Sequence, residues 1–162
     1  MKFALFRHAS KGIIPFDDPE LTAQGFQQSI QILNLIKTNE LPTPTHLFVS
    51  PKRRTSQTLY PASKEFSVPI QIKPELDLRQ QDESPAQFRS RIENFLNSVS
   101  QHGNEDVVFA CTHYDWIEES MTLIDCDRNL NSFEFSHWAP TQFILFEISK
   151  SGWKLLKKGD AK

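Results

Sequence analysis

Three short segments of the sequence carry histidine and arginine side chains of the kind that hold and attack phosphate. Arg7-His8 follows one apolar run, Arg54 lies in a basic stretch just after a second, and His113 follows a third. The planar guanidinium fork of arginine matches phosphate oxygens, and neutral imidazole is a nucleophile. If the three runs are parallel strands, their C-terminal ends meet at one edge of the sheet, where ligands bind. The pattern therefore predicts an anion pocket at that edge.

Each of these residues also has an ordinary structural explanation. A histidine at the end of a strand is commonly a surface residue whose ring bonds to the backbone. The run Lys52-Arg53-Arg54 has the character of a solvated basic turn. Because unrelated surface residues have no reason to recur after successive strands, the joint placement favours a phosphate site.

Short apolar runs alternate with helical patterns along the whole chain, which predicts an α/β fold. We expect a three-layer sandwich with a mostly parallel central sheet, helices on both faces and a C-terminal antiparallel segment, all in a single domain over residues 1–162. The predicted strands lie at 3–6, 46–49, 68–72, 106–111, 143–148 and 153–156. Helices are predicted to begin at Thr22, Ser50-Pro51, Ser84-Pro85 and Trp116.

Two of these helices carry details that a structure can test. In the first helix, the apolar residues Phe26, Ile30, Leu33 and Ile36 recur at near-helical spacing. In the second helix, Pro61 should kink or divide the helix, because proline lacks the backbone N–H that the helix needs.

Composition narrows the class of protein. The chain has 162 residues and a net charge of −2, which gives no overall basic field for nucleic acid. No apolar stretch approaches the ~20 residues of a membrane span, and the N-terminus carries no signal-peptide pattern. We therefore expect a cytoplasmic location without membrane contact. Cys111 and Cys126 have no metal-ligand spacing, and neither is followed six residues later by the arginine that a phosphate-cradling cysteine loop would require. No metal or cofactor is expected.

The order and spacing of the motifs resemble the histidine phosphatase superfamily, the phosphoglycerate-mutase-like enzymes. The family's Arg-His-Gly is similar to Arg7-His8-Ala9, and its Leu-Thr-x-x-Gly is similar to the segment from Leu21 to Gly25. Its Ser-Pro-x-x-Arg-x-x-Gln-Thr occurs in full from Ser50 to Thr58, and its second histidine matches His113. Alanine in place of glycine should matter only if that residue needs a positive φ. The resemblance covers nearly the whole chain and is closest to the short phosphohistidine-phosphatase-type members.

The resemblance implies a metal-independent phosphatase that hydrolyses a phosphomonoester or a phosphoramidate through a phosphohistidine intermediate. His8 would be the nucleophile. Arg7, Arg54 and His113 would hold the phosphoryl oxygens, and the helix start at Thr22 would add further phosphate-binding groups. His8 must be neutral to attack, and adjacent arginine charge disfavours its protonated form. The substrate would be a phosphorylated small molecule or a phosphoprotein, and the sequence does not indicate an oligomeric state.

The proton donor for the leaving group is harder to identify. Many family members carry glutamate in a Leu-x-Glu motif after the third strand, where this chain has Leu76-Asp77-Leu78. Leucine therefore occupies the acid position, and the main candidate acids are Asp77 and Glu75. Three other carboxylates are also near in sequence or follow the second histidine: Asp82, Glu83 and Asp115. An enzyme that lacks the acid should prefer good leaving groups, because general acid catalysis is worth about 10²–10⁴ in rate.

Other functions stay open at this point. A non-catalytic phosphate-binding or regulatory protein could use the same fold, and a phosphomutase would need a closed pocket that retains the phosphoryl group. A nucleic-acid binder would interleave basic residues with exposed aromatic residues, whereas most of the 13 phenylalanines occupy periodic core positions. Trp116 and the pair His137-Trp138 could line the pocket or pack in the core.

Overall fold

The computed structural model describes residues 1–162 and contains one six-stranded sheet with helices on both faces. The strands and helices are, in chain order, β1 (Lys2–Arg7), α1 (Ala23–Lys37), β2 (His46–Val49), α2 (Arg53–Phe66), β3 (Ile70–Ile72), α3 (Pro85–Val99), β4 (Val107–Thr112), α4 (Tyr114–Leu123), β5 (Phe143–Ser149) and β6 (Gly152–Gly159). Short 3-10 turns lie at Pro74–Leu76 and Phe133–Phe135. None of the helices is long and apolar enough to cross a bilayer.

The strand order is β3-β2-β4-β1-β5-β6. The strands β1 to β4 are parallel to one another, whereas β5 pairs antiparallel with both β1 and β6. This topology confirms the predicted α/β sandwich with its C-terminal antiparallel segment. The register pairs Arg7 with Thr112 and Val49 with Cys111. The residues that follow β1, β2 and β4 therefore emerge at one edge of the sheet.

Alternation along the strands supplies two separate cores. Phe3 and Leu5 of β1 belong to the core that includes α3 and α4, whereas Ala4 and Phe6 belong to the core that includes α1 and α2. Cys111 is fully buried in the second core, as a small apolar residue would be. A three-layer arrangement follows directly, because each face of the sheet must be covered by helices.

The face of α1 that packs against the protein differs from the one that its apolar spacing suggests. Phe26 and Ile30 remain exposed, whereas Gly25 and Ser29 are buried. A Cβ atom on Gly25 would lie only 2.1 Å from the carbonyl oxygen of Ser10. The helix thus approaches the loop after β1 more closely than a larger residue would permit, and residue size decides its orientation.

Of the two effects predicted for Pro61, division of the second helix is wrong, because α2 runs through Pro61 as one helix, and a kink stays a prediction. Proline removes one backbone hydrogen bond from the helix. The flanking residues Leu59 and Ala62 are buried in the core beneath α2, and this packing holds both halves of the helix against the sheet.

Two predicted helix starts are confirmed by their caps. The hydroxyl of Thr22 accepts a hydrogen bond from the N–H of Gly25 at the start of α1. Ser84 and Gln87 form a reciprocal capping box at the start of α3. Caps of this kind typically contribute about 1 kcal/mol to stability, and they fix where the loops before these helices end.

Candidate functional site

His8 follows β1 directly, and its buried ring is held in one tautomer. Its Nδ1 donates to the carbonyl of Ala9 at 2.7 Å. Because a carbonyl only accepts, Nδ1 carries the proton and Nε2 keeps its lone pair. Burial lowers the pKa of His8 to about 3, and the charges of Arg54 and Arg7 act in the same direction. The imidazole is therefore neutral, with Nε2 in the form that a nucleophile requires.

His113 lies beside His8, with the two ring centroids 5.4 Å apart. Its Nδ1 accepts from the Nη2 of Arg54 at 3.2 Å, so its Nε2 carries the proton and donates to the hydroxyl of Ser50 at 2.8 Å. Burial, followed by the charge of Arg54, lowers the pKa of His113 to about 2. The sequence predicts that arginine charge keeps the histidine neutral. In the structure, burial lowers the pKa of both histidines more than the arginine charges do.

Arg7 and Arg54 each keep one buried N–H group that has no hydrogen-bond partner within the protein. Arg7 donates from Nη1 to the carbonyl of Trp138 at 2.5 Å, and its guanidinium lies 5.3 Å from the centre of the Tyr114 ring. Arg54 is buried in the first turn of α2. The Nε atoms of Arg7 and Arg54 make no hydrogen bond within the protein. An unpaired buried N–H costs about 1–3 kcal/mol, which favours binding of an anion at these groups.

Residues of the Ser-Pro-x-x-Arg-x-x-Gln-Thr motif tie the loop after His8 to α2. The hydroxyl of Thr58 accepts from the N–H of Ala9 at 2.9 Å, and the Oε1 of Gln57 accepts from the N–H of Leu21 at 2.9 Å. The positioning roles of Gln57 and Thr58 are not among the predictions from the sequence, although both residues belong to the motif from Ser50 to Thr58. Ala9 does not have a positive φ, which explains why alanine is accepted where the family has glycine.

Thr22, predicted to contribute to phosphate binding, uses its hydroxyl in the cap of α1. Its Oγ1 accepts from the N–H of Gly25 at 3.1 Å and donates to the carbonyl of Ser10 at 3.3 Å. No hydrogen bond connects its side chain with His8 or His113. Its contribution to phosphate binding stays a prediction.

Asp77 is the carboxylate that reaches the histidine cluster. Its Oδ1 lies 3.8 Å from the Nε2 of His113 and also accepts from the N–H of Leu78 at 2.9 Å. Glu75, the second candidate acid, has a buried Oε2 atom that makes no hydrogen bond. Both residues therefore stay candidates for the proton donor, with Asp77 the one in contact distance of the site.

The other carboxylates are engaged elsewhere or exposed. Glu83 forms an ion pair with Arg91 through Nη2 at 2.7 Å and Nε at 2.8 Å, and this pairing lowers the pKa of Glu83. Asp115 accepts from the N–H of Arg79 at 2.9 Å and from that of Trp116 at 2.8 Å. Asp82 is exposed. A carboxylate that stays ionised in an ion pair is a poor proton donor, which argues against Glu83.

Lys52 and Arg53 hold the loop of residues 10–20 against the start of α2. The Nζ of Lys52 donates to the carbonyl of Asp17 at 3.1 Å. The N–H of Arg53 donates to the carboxylate of Asp18 at 3.1 Å, and its guanidinium pairs with Glu20 at 3.1 Å. These residues therefore position the loop that follows β1.

The two tryptophans that could have lined the pocket pack in the core instead. Trp116 and Trp138 are fully buried, and each indole N–H donates to a backbone carbonyl. His137 is exposed, and its ring lies 6.5 Å from that of Tyr114. No group of three or more histidine, cysteine, aspartate or glutamate side chains is arranged to hold a metal ion.

The chain matches known proteins in its N-terminal half by sequence and over its whole length by fold. Residues 7–80 match the histidine phosphatase superfamily, branch 1. No curated protein sequence matches the chain significantly.

Three solved structures illustrate the shared fold. The protein histidine phosphatase SixA in complex with tungstate is 16% identical, with a TM-score of 0.75 over 99% of this chain and 97% of that chain. The H9A mutant of phosphoserine phosphatase from Entamoeba histolytica, in complex with phosphoserine, is 16% identical, with a TM-score of 0.72 over 99% and 98%. A protein from Escherichia coli K-12 assigned as an alpha-ribazole-5'-P phosphatase is 16% identical, with a TM-score of 0.76 over 99% and 98%.

The sequence match begins at Arg7 and includes His8 and the whole motif around Arg54, which are the residues that the fold gathers at one edge of the sheet. His113 lies outside the matched segment and joins the cluster through the parallel pairing of β1 with β4. In residues 7–80 the chain is therefore similar to the histidine phosphatase superfamily, and over its whole length it shares the fold of the three solved structures.

Proposed function

We propose that this protein is a metal-independent phosphatase that hydrolyses a phosphomonoester or a phosphoramidate through a phosphohistidine intermediate on His8. The observation that carries the proposal is the 2.7 Å hydrogen bond from His8 Nδ1 to the Ala9 carbonyl. It leaves Nε2 unprotonated in a buried, neutral ring, ready to attack phosphorus. The positive charge that the phosphoryl oxygens need is supplied by two guanidinium groups.

In the first step, Nε2 of His8 attacks phosphorus while the bond from phosphorus to the leaving oxygen or nitrogen breaks. Arg7 and Arg54 hold the phosphoryl oxygens, over which the charge of the transition state is spread. His113 joins them when its Nε2–H turns from Ser50 to an oxygen of the substrate. The ring of His8 becomes positive as the bond forms, and the Ala9 carbonyl that accepts from Nδ1 stabilises that charge. In the second step, water attacks phosphorus, which releases inorganic phosphate and restores neutral His8.

The proton that the leaving group needs is assigned to Asp77. Its carboxyl lies 3.8 Å from the Nε2 of His113, so it borders the space where the phosphoryl group would sit. Protonated Asp77 would give its proton to the leaving atom, and the resulting carboxylate would take one from the attacking water, which closes the proton count. Glu75 is the second candidate, and Thr22 is not required by this mechanism.

The substrate is a phosphorylated small molecule or a phosphoprotein. Two solved structures that share this fold hold tungstate and phosphoserine, and both ligands support a phosphorylated substrate for this chain. The free thiols of Cys111 and Cys126 suit the reducing cytoplasm that we propose as the location. A phosphomutase is a weaker alternative, because it must retain the phosphoryl group and donate it again.

The test compares the wild type with His8→Ala in hydrolysis of p-nitrophenyl phosphate and in trapping of an acid-labile phosphoenzyme. We expect turnover and a trapped phosphoenzyme in the wild type and neither in His8→Ala. His46→Ala, which changes a histidine at the start of β2, is the matched control and should behave as the wild type. Calorimetry with inorganic phosphate checks that the His8→Ala site still binds the anion.

Two results would contradict the proposal. Activity of His8→Ala within tenfold of the wild type would mean that another group attacks phosphorus. Phosphate binding by the wild type without turnover or phosphoenzyme would favour the non-catalytic phosphate-binding protein.

A further inference from the structure

The loop between β1 and α1 presents three large apolar side chains to solvent. Ile13, Ile14 and Phe16 are 78%, 83% and 96% exposed. Only Pro15 separates them in sequence, and we call these three residues the apolar tip. Single exposed apolar residues are normal, but a contiguous group of this kind is typical of a surface that another molecule covers.

The apolar tip has a fixed position beside the candidate site. Lys11 and Leu21 pair as an antiparallel bridge at the base of the loop. Beyond the tip, the carboxylate of Asp18 accepts from the N–H of Arg53 at 3.1 Å, one residue before Arg54 of the site. Because the loop is anchored on both sides, the tip is already positioned before a partner binds, which reduces the entropy lost on association.

Two lysines flank the apolar tip: Lys11 lies two residues before it, and the Nζ of Lys52 donates to the carbonyl of Asp17 directly after it. Lys11 and Lys52 are close enough to lower the pKa of His8 and His113, respectively, through their charge. Neither ammonium group is paired with a carboxylate. This side of the loop therefore favours negative charge in whatever molecule approaches the site.

We propose that the apolar tip docks a phosphorylated protein segment that carries an apolar residue and an acidic residue next to its phosphorylated side chain. This inference rests on the proposed phosphatase function. The apolar residue would pack on Phe16 and its neighbours, the acidic residue would lie near Lys11 and Lys52, and the phosphoryl group would reach the recessed histidines. An anionic bilayer fits less well than a single acidic side chain, because its extended negative surface would cover Asp17 and Asp18 as well as the two lysines.

The test uses two phosphotyrosine peptides of equal length, with phenyl phosphate as the small substrate. One peptide carries Leu and Glu beside the phosphotyrosine, and the other carries Gly and Ser there. We expect the wild type to favour the Leu–Glu peptide by about tenfold in kcat/KM. Phe16→Ser should lose this preference without a change in phenyl phosphate hydrolysis. Phe133→Ser is the matched control, since Phe133 is 93% exposed in a different loop, and it should keep the preference.

Several outcomes would overturn the docking proposal. Equal kcat/KM of the wild type for both peptides would overturn it. An equal loss of the preference for the Leu–Glu peptide in Phe133→Ser and in Phe16→Ser would also overturn it. Binding of the wild type to phosphatidylglycerol vesicles that Phe16→Ser abolishes would identify a membrane as the partner. A dimer in solution that Phe16→Ser abolishes would identify a second copy of the chain. Absence of phenyl phosphate hydrolysis would refute the phosphatase function instead, and calorimetric binding of the two peptides would then decide the docking proposal separately.

Discussion

The two sides of the proposed reaction are built in different ways. On the nucleophile side, side chains hold one another: His113 contacts both Ser50 and Arg54, and each of these contacts fixes a proton position. On the acid side, residues 73–83 are held mainly through their backbone. The guanidinium of Arg91 donates to the carbonyls of residues 75 and 77, both at 2.8 Å, and to that of residue 78 at 3.2 Å.

Other groups add to the backbone anchoring of the acid side. The indole N–H of Trp116 donates to the carbonyl of Glu75 at 2.8 Å, and the hydroxyl of Thr112 donates to that of Leu76 at 2.5 Å. Contacts with carbonyls fix the path of a segment without fixing its side chains. The acid side can therefore carry Leu78 at the family's acid position, whereas a substitution on the nucleophile side leaves a buried partner unsatisfied.

The largest effect is expected from Arg54→Lys on the nucleophile side. Lysine keeps the charge but loses the planar fork that reaches both phosphate and the Nδ1 of His113. Removal of one preorganised donor to the transition state costs about 10²–10³ in kcat, and we expect that loss with p-nitrophenyl phosphate. Arg89→Lys, which changes an exposed pair with Glu119, should leave the rate unchanged. A loss below tenfold in Arg54→Lys would show that the side chains of this cluster act independently.

On the acid side, Asp77→Asn should act in a way that depends on the leaving group. We expect hydrolysis of an alkyl phosphate to fall by about 10² or more, because a poor leaving group needs a proton. Hydrolysis of p-nitrophenyl phosphate, whose leaving group is stable as an anion, should change little. Glu75→Gln is measured beside it, because Glu75 is the second candidate acid.

The pattern of losses identifies the acid. A loss in Glu75→Gln alone would move the acid role from Asp77 to Glu75. Equal losses of Asp77→Asn on both substrates would mean that Asp77 acts by positioning His113. If neither variant lost activity on either substrate, neither Asp77 nor Glu75 would be the acid, and the assignment of the proton donor to this segment would be wrong.

A smaller effect is expected from Arg91→Met, which removes the anchor of the acid side without touching the histidines. The rate with an alkyl phosphate should fall by roughly tenfold, and the rate with p-nitrophenyl phosphate should remain near that of the wild type. Loss of the hydrogen bonds should lower the free energy of unfolding by roughly 1–3 kcal/mol, measured by urea denaturation. Additive rate losses of Arg91→Met and Asp77→Asn in the double variant would contradict a shared role.

The sequence predicts most of the nucleophile side because strand ends obey a simple rule. Parallel strands bring the residues that follow them to one edge, so Arg7, His8 and His113 could be grouped without coordinates. The fold could also be predicted, because buried strands need continuous apolar runs and two of the four helices, α1 and α3, begin at a capping residue.

Contacts that depend on side-chain size and loop path could not be predicted in this way. Phe26 is exposed because Gly25, its neighbour in α1, packs closely against Ser10. The spacing of apolar residues in the sequence does not predict this contact. The distance from Asp77 to His113 depends on a 3-10 turn held by Arg91, which is distant in sequence. A pattern of residue types along one segment carries no information about such contacts.

The pH dependence of stability should separate the two sides. Burial lowers the pKa of His8 to about 3 and that of His113 to about 2, from an ordinary value of 6.5. Below pH 6.5 the two histidines therefore bind protons in the unfolded chain but stay neutral in the folded protein. The free energy of unfolding consequently falls as pH falls from 6.5 towards about 3. The pairing with Arg91 lowers the pKa of Glu83 from its ordinary 4.5, so the stability that Glu83 contributes is lost only below that pH.

On acidification, the first loss of stability should thus come from the nucleophile side. Urea denaturation of the wild type between about pH 7 and about pH 5 should show a free energy of unfolding that falls with pH. Replacement of either histidine, in His8→Gln or His113→Gln, should reduce that slope by up to roughly 1.4 kcal/mol per pH unit. Glu83→Gln should leave the slope in this range unchanged. If both histidine variants kept the wild-type slope, His8 and His113 would titrate alike in the folded and unfolded states, and the neutral nucleophile would lose its structural basis.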